Sequence, residues 1–209
     1  SSDLGTLNRW CHANGVKSRY QAYGGPALMG MLGGYMLPDI PEGDTWLYHP
    51  EPTVGKPIDA MRYAVWNKYA ASGAHLTGKR LVGCQAMTNL AGVFRTSLEY
   101  LKQAADLNFI TGVNHSILHG YNYSPPEAAF PGIIRYGTFF NEHNPWWPYF
   151  RKWADYNARL SWVFQEAPPA GEIAILGPTC DVWGQSGLYR VPFVTTPAYL
   201  HEIWQMFHA

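Results

Sequence analysis

Acidic, imidazole and amide side chains recur where this chain turns, and the densest acidic stretch is Asp39-Ile-Pro-Glu-Gly-Asp44. Hydrolysis of a glycoside needs two carboxyl groups: one protonates the leaving oxygen, and the other activates water or attacks directly. Glu42 and Asp44 are the best-placed pair, but neighbours on one loop approach a bond from the same side. A third group from another strand end is needed. Position 85 is the place for it, and it carries Gln, which has no acidic proton to give. Glu42, Asp44 and Gln85 are the catalytic candidates. Around them the loops add Glu127, Glu142, His143, Trp46, Trp146 and Trp147. Planar rings stack on the C–H faces of a sugar, while amides, imidazoles and carboxylates bind its hydroxyls. The substrate-binding candidates are Gln21, Tyr23, His119, Tyr121, Asn122, Glu142, Trp146 and Trp147.

Each signal has a plainer alternative. Glu42, following Pro41, can serve only to orient a loop. His115 and His119 can be hydrogen-bonded core imidazoles, and Trp146-Trp147 can simply pack the start of a helix. His115-x-x-x-His119 lacks the helical context and the carboxylate of a HExxH zinc site, so no metal ligands are assigned. Asn114-His-Ser and Asn122-Tyr-Ser match the glycosylation sequon but abut an expected buried strand, and read as chance matches. Gly30-Met-Leu-Gly-Gly34 has neither the strand–turn–helix setting nor the Lys of a phosphate-binding loop.

Strands and helices must bring these groups together. Val16 to Tyr23 alternates like a strand and stops at Gly24-Gly25-Pro26; residues 27–56 read as a Gly- and Pro-rich loop, with one strand-like stretch near Ile40. A helix is expected from Pro57 to about Leu76, with Met61, Ala64, Val65, Tyr69 and Leu76 near helical spacing. Lys79 to Met87 reads as a strand, with Gln85 on the face of Leu81 and Gly83. Thr96 to Ile110 is a second helix, with Leu98, Leu101, Ala105 and Phe109 on one face and Thr96 or Ser97 as its cap. Val113 to His119 is a strand whose one face carries His115, Ile117, His119 and Tyr121. A loop over 120–145 precedes an aromatic helix from Trp146 to Glu166. Glu172 to Leu176 reads as a further strand and 197–208 as a last helix. Strand–helix alternation implies a parallel α/β sheet. A complete eight-stranded β/α barrel takes about 250 residues, so this chain reads as one domain over residues 1–209, part of a (β/α)8 TIM-type barrel. Sites on such sheets form at the carboxyl ends of the strands.

Composition bounds the partners. Among 209 residues, 15 Lys and Arg balance 15 Asp and Glu. Nucleic acid binding ordinarily takes a basic excess, which is missing. Neither a polybasic segment nor an apolar run of about 20 residues points to a membrane. Charged residues are 14% and aromatics 15%, so the chain can bury ample apolar surface and disorder is not expected. Cys11, Cys84 and Cys180 are odd in number and widely spaced, which suits buried thiols and no disulfide framework. The chain opens on Ser1 with no signal peptide, reading as a processed chain or an internal segment.

Together these motifs resemble glycoside hydrolase family 106, the α-L-rhamnosidase-like enzymes. The matching segments are Trp10-Cys-His-Ala-Asn-Gly15, Ser18-Arg-Tyr-Gln-Ala-Tyr-Gly24, Asp39 to Asp44, Gly78 to Thr88, Gly112 to Tyr121, Asn144-Pro-Trp-Trp147 and Trp153 to Arg159. The resemblance implies a large multidomain enzyme with a β/α barrel that cleaves α-L-rhamnosides by inversion. It also implies calcium as a cofactor, a periplasmic or secreted setting, and the remainder of the barrel or other chains as partners. Two positions depart from the family pattern, which reads Glu at position 85 and tends to Glu at position 44. Gln85 keeps the shape of a catalytic carboxyl without its proton, so low or no hydrolysis is expected of the chain as written.

Overall fold

The computed structural model describes residues 2–22, 31–47, 61–121, 125–132, 135–167 and 169–176. Tyr23, Asn122, Cys180 and the expected helix over 197–208 lie outside them. Helix α1 (Ser2–Ala13) leads into β1 (Arg19–Gln21), α2 (Met31–Tyr35), β2 (Ile40–Leu47), α3 (Met61–Leu76), β3 (Gly83–Asn89), α4 (Leu98–Ile110) and β4 (His115–Leu118). A 3-10 turn (Trp147–Tyr149) then opens α5 (Phe150–Glu166). The four strands form one parallel sheet in the order β1-β2-β3-β4. Helices follow the strands, as in a partial TIM-type barrel. Among the described residues no helix is long and apolar enough to cross a membrane.

The helix expected over 96–110 forms for the expected reason. Ser97 caps α4, its side chain accepting the Tyr100 N–H at 3.2 Å. Leu101, Ala104, Ala105 and Phe109 bury one face, and Gly112 leaves the helix with φ +100°, a region that suits a residue without Cβ. The core gathers these side chains with Ala70, Ala74, Cys84, Ala86, Met87, Val113, Phe140 and Trp153. Cys11 and Cys84 are buried free thiols. Asn114 is buried between strands: its side chain accepts from Val82 N and donates to the Arg80 carbonyl, both at 2.8 Å.

Three expectations are corrected. The loop read over 27–56 contains α2 and an eight-residue strand, β2. The strand-like stretch near Ile40 is the start of β2; its full length is hidden in the sequence, because Pro41 and Gly43 weaken strands in isolation, and pairing on both edges, with β1 and with β3, overrides them. Glu172 to Leu176 forms no strand. Ile173 is 68% exposed and Leu176 97%, and no pairing to β4, the edge of the described sheet, satisfies their backbone. On α3, Leu76 is 61% exposed, not core, because the buried face runs through Ala64, Val65, Ala70 and Ala74.

Helix α1, which the periodicity did not reveal, is tied to the sheet through Asp39. His12 Nε2 lies 2.9 Å from both oxygens of Asp39. Ser18 donates to Asp39 Oδ2 from its N–H at 2.7 Å and its hydroxyl at 3.1 Å. Burial pushes the Asp39 carboxyl up, but these hydrogen bonds outweigh it and hold the group below its ordinary range.

Gly43 is where α3 meets β2. A Cβ there would fall 2.0 Å from Asn67 Oδ1. Gly43→Ala is expected to destabilise the chain by about 1–3 kcal/mol, the usual scale of overpacking. Gly33→Ala, at an exposed helical position with no atom within 4 Å of the new carbon, is expected to be neutral or slightly stabilising. Urea denaturation of the two variants measures both; equal midpoints would contradict the close approach.

Candidate active site

In a parallel pair, residues in register share a sheet face. Gln21 aligns with Glu42, Glu42 with Gly83, Asp44 with Gln85, and Gln85 with Ile117. One face therefore carries Arg19 and Gln21 from β1, Glu42 and Asp44 from β2, and Gln85 from β3. The opposite face carries Gly43, Thr45 and Cys84, which meet Asn67 of α3 and Asn108 of α4. Thr45 Oγ1 donates to Asn108 Oδ1 at 2.6 Å, Asn67 Nδ2 donates to the same oxygen at 3.0 Å, and Asn67 Oδ1 accepts the Asp44 backbone N–H at 3.0 Å. This buried polar strut holds the stretch of β2 that presents Asp44. Sequence reasoning missed Asn67 and Asn108, because an Asn inside a helix looks like a weak helix former until a partner appears.

The register between β2 and β3 slips after Asp44: Trp46 aligns with Thr88, so β3 has one extra residue there. Met87 takes φ +68° and is fully buried. Simple alternation from Gln85 would turn Met87 toward Asp44; the bulge brings Thr88 there instead. Thr88 Oγ1 lies 3.4 Å from Asp44 Oδ1 and 3.1 Å from His119 Nδ1. Gln85 Nε2 lies 2.9 Å from the same His119 nitrogen, and the peptide joining His119 to Gly120 is cis. Trp46 Nε1 donates to Asp44 Oδ2 at 2.6 Å, and the Trp46 ring meets Tyr136 with centroids 5.4 Å apart. Asp44, Thr88, His119 and Gln85 thus form one cluster of polar side chains at the carboxyl end of the sheet.

Glu42 lies two residues nearer the strand start. Arg19 Nε is 3.0 Å from Glu42 Oε2, an ion pair by distance that lacks hydrogen-bond alignment, since that oxygen is otherwise buried without a donor. Gln21 Nε2 donates to the Gly43 carbonyl at 3.1 Å, bracing β1 on β2. Burial raises the carboxyl of Glu42, and Arg19 partly offsets this. Asp44 is raised to about 6, chiefly by burial; its bonds from Trp46, the Thr45 backbone and Thr88 oppose that, and the Glu42 charge adds to it. His115 is lowered by burial and then by Arg19.

Other candidates stand apart. Tyr121 donates to Glu142 Oε2 at 3.3 Å on the exposed surface. Trp146 and Trp147 have packing roles: Trp146 Nε1 donates to the Thr96 carbonyl at 2.7 Å, and Trp147 stacks on Phe150 at 5.0 Å. A cavity of about 340 Å³ opens near the strand starts, at Lys17, Asp39, Lys79 and Arg80. One of about 300 Å³ lies between β4 and α5, at His115, Phe150 and Trp153. Neither includes Glu42, Asp44, Gln85 or His119. Among the described residues no three His, Cys, Asp or Glu side chains come together to hold a metal ion. Calcium takes six to eight oxygens. Asp44 is engaged by Trp46 and Thr88, and Glu42 faces a guanidinium, so these carboxylates do not fit a calcium site.

Because Asp44 binds its proton more tightly folded than unfolded (3.8 raised to about 6), its contribution is most favourable below about pH 4 and is lost as pH rises through 6. Asp44→Asn keeps an acceptor for the Trp46 indole. It is expected to be more stable than the parent at pH 8, by about 1–3 kcal/mol, with the gain gone at pH 4. Urea denaturation at the two pH values measures this; a gain that does not vary with pH would contradict the buried charge.

Comparison with known proteins places this geometry. A family model for glycoside hydrolase family 106, described as alpha-L-rhamnosidase, matches residues 2–177. The structure of a rhamnosidase from Novosphingobium sp. PP1Y superposes with a TM-score of 0.67 and 28% identity, over 78% of this chain and 16% of that one. A Formosa agariphila protein that carries the name "Putative beta-glucuronidase" is 29% identical over 167 residues, 79% of this chain and 13% of its own length. The chain thus spans less than a fifth of either relative. With that match, and with strands and helices in barrel order, the chain belongs to glycoside hydrolase family 106, the alpha-L-rhamnosidase family.

Proposed function

We propose that this chain is the site-bearing segment of a larger β/α-barrel glycosidase directed at α-L-rhamnosides, and that it hydrolyses them poorly because position 85 is Gln. The observation that carries the reading is the cluster of Asp44, Thr88, His119 and Gln85, beside Glu42, at the strand ends of a family 106 chain.

Register supports one division of roles. Neighbouring strands lie about 4.8 Å apart and two residues advance about 6.6 Å. Position 85 therefore sits about 4.8 Å from Asp44 along the hydrogen bonds, but about 8 Å from Glu42 on the diagonal. An inverting pair of carboxyls is about 6.5–9.5 Å apart. The backbone spacing of Glu42 and position 85 falls in the range of an inverting pair and that of Asp44 and position 85 does not, which supports pairing Glu42 with position 85. Glu42 is then the base that activates water, and a carboxyl at position 85 is the acid that protonates the leaving oxygen. Asp44 positions water, and its negative charge helps keep a proton on the acid at position 85. His119 contributes a polar contact to the sugar. The Trp46–Tyr136 corner supplies an aromatic face beside Asp44, since Trp146 and Trp147 pack elsewhere.

A second reading is non-catalytic: a sugar-binding or structural segment within a larger assembly. The burial of both carboxylates favours it, with Glu42 6% and Asp44 2% exposed.

Release of 4-nitrophenol from its α-L-rhamnoside separates the two. Gln85→Glu is expected to raise the rate roughly 10²–10⁴-fold, the scale of positioned acid catalysis, and adding Glu42→Gln is expected to abolish the gain. No rise in Gln85→Glu removes position 85 from the mechanism and leaves the binding reading, which calorimetry with rhamnose oligosaccharides then tests.

A further inference from the structure

We propose that Gln85 is a positioning residue that sets the tautomer of His119, and thereby decides whether a hydrogen-bond relay connects the His119 ring to Asp44. The wiring stands on the distances and on the Gln85 amide presenting its nitrogen to the ring; only its consequence for catalysis rests on the glycosidase reading.

Gln85 Nε2 lies 2.9 Å from His119 Nδ1. An amide nitrogen donates and does not accept, so Nδ1 is the acceptor and the proton of the neutral ring sits on Nε2. Thr88 Oγ1 lies 3.1 Å from the same Nδ1 and 3.4 Å from Asp44 Oδ1. Thr88 has one proton to give. The in-plane lone pair of Nδ1 is already taken by Gln85, and an ionised Asp44 only accepts, so the Thr88 proton goes to Asp44. The donors then run from Gln85 to His119 and from Thr88 to Asp44. Between Nδ1 and Oγ1 two lone pairs meet, and the chain of hydrogen bonds is broken there.

An ionised carboxylate at position 85, the form left once its proton has gone to the leaving oxygen, reverses this. It can only accept, so the ring proton moves to Nδ1, which donates to residue 85 or to Thr88 Oγ1. Thr88 still donates to Asp44, and with Nδ1–H directed at Thr88 Oγ1 the relay from ring to carboxylate becomes continuous. On the far side of the ring Nε2 changes from donor to acceptor. In the chain as written, His119 therefore offers Nε2–H to an acceptor oxygen, such as a sugar hydroxyl. With the carboxylate it accepts a hydrogen bond from water or from a hydroxyl. The bulge that places Thr88 beside His119 makes this arrangement possible. It also explains how one side-chain atom, nitrogen for oxygen, changes the role of a residue on the next strand.

Long-range 1H–15N spectra of the full chain labelled at histidine, at pH 8, read the tautomer directly, with His119 assigned by His119→Gln. The expected spectrum of the parent shows Nε2–H in excess by roughly fivefold or more, the bias one net hydrogen bond supplies. Thr88→Val should leave it unchanged, and Gln85→Glu should move the proton to Nδ1. Nδ1–H in the parent, or one tautomer shared by the parent and Gln85→Glu, would overturn the proposal. If Gln85→Glu does not fold, the parent and Thr88→Val decide alone: a tautomer that changes on losing the Thr88 hydroxyl assigns control to Thr88 and not to Gln85. No turnover is needed, so this result and the hydrolysis result can fail separately.

Discussion

The pairing of β2 with β3 is the constraint on which the rest depends. It sets Asp44 beside Gln85, and a slip of one residue would turn one of them toward the helices. Two features lock that register. On the helix side, Asn67 and Asn108 form a polar strut against Thr45 and the backbone of Asp44, and only a glycine at position 43 leaves room for it. On the open side, an extra residue in β3 buries Met87 and brings Thr88 to the face of Asp44 and His119. A buried polar network is costly if left partly unpaired, so the strut also penalises competing registers.

That constraint carries an electrostatic cost. Glu42 and Asp44 project from the same strand face, and burial disfavours the charge of each. The fold offsets part of this with a guanidinium beside Glu42 and two side-chain donors on Asp44. A carboxyl titrating near pH 6 exchanges protons close to neutrality, which suits acid–base chemistry. The same burial would make little sense for groups that merely solubilise a surface.

Much of this was legible in the residues. The Ser97 cap and the spacing of Leu101, Ala105 and Phe109 defined α4, because local hydrogen bonding and one apolar face agree there. The β/α order followed from the alternation, and positions 85 and 119 were singled out as strand-end groups. What stayed hidden depends on partners distant in sequence. β2 was obscured by Pro41 and Gly43, whose poor strand propensity is overridden by pairing on both edges. Thr88 was missed because a bulge cannot be read from alternation, and Asn67 because its partners lie on β2 and α4. Trp146 and Trp147 were read as sugar platforms from residue type alone; their neighbours Phe140 and Phe150 give them to the core. Glu172 to Leu176 has the composition of a strand, yet composition supplies no partner for its backbone.

The central claim is that the face shared by Glu42, Asp44, Gln85 and His119 is where this chain meets a sugar. An NMR titration of the 15N-labelled chain with methyl α-L-rhamnoside tests it most directly. The account predicts that the largest shifts fall on the Gln85 side-chain amide, the His119 ring and the Trp46 indole N–H. Shifts concentrated instead on His115, Phe150 and Trp153, in the cavity between β4 and α5, or none at all at saturating sugar, would contradict it.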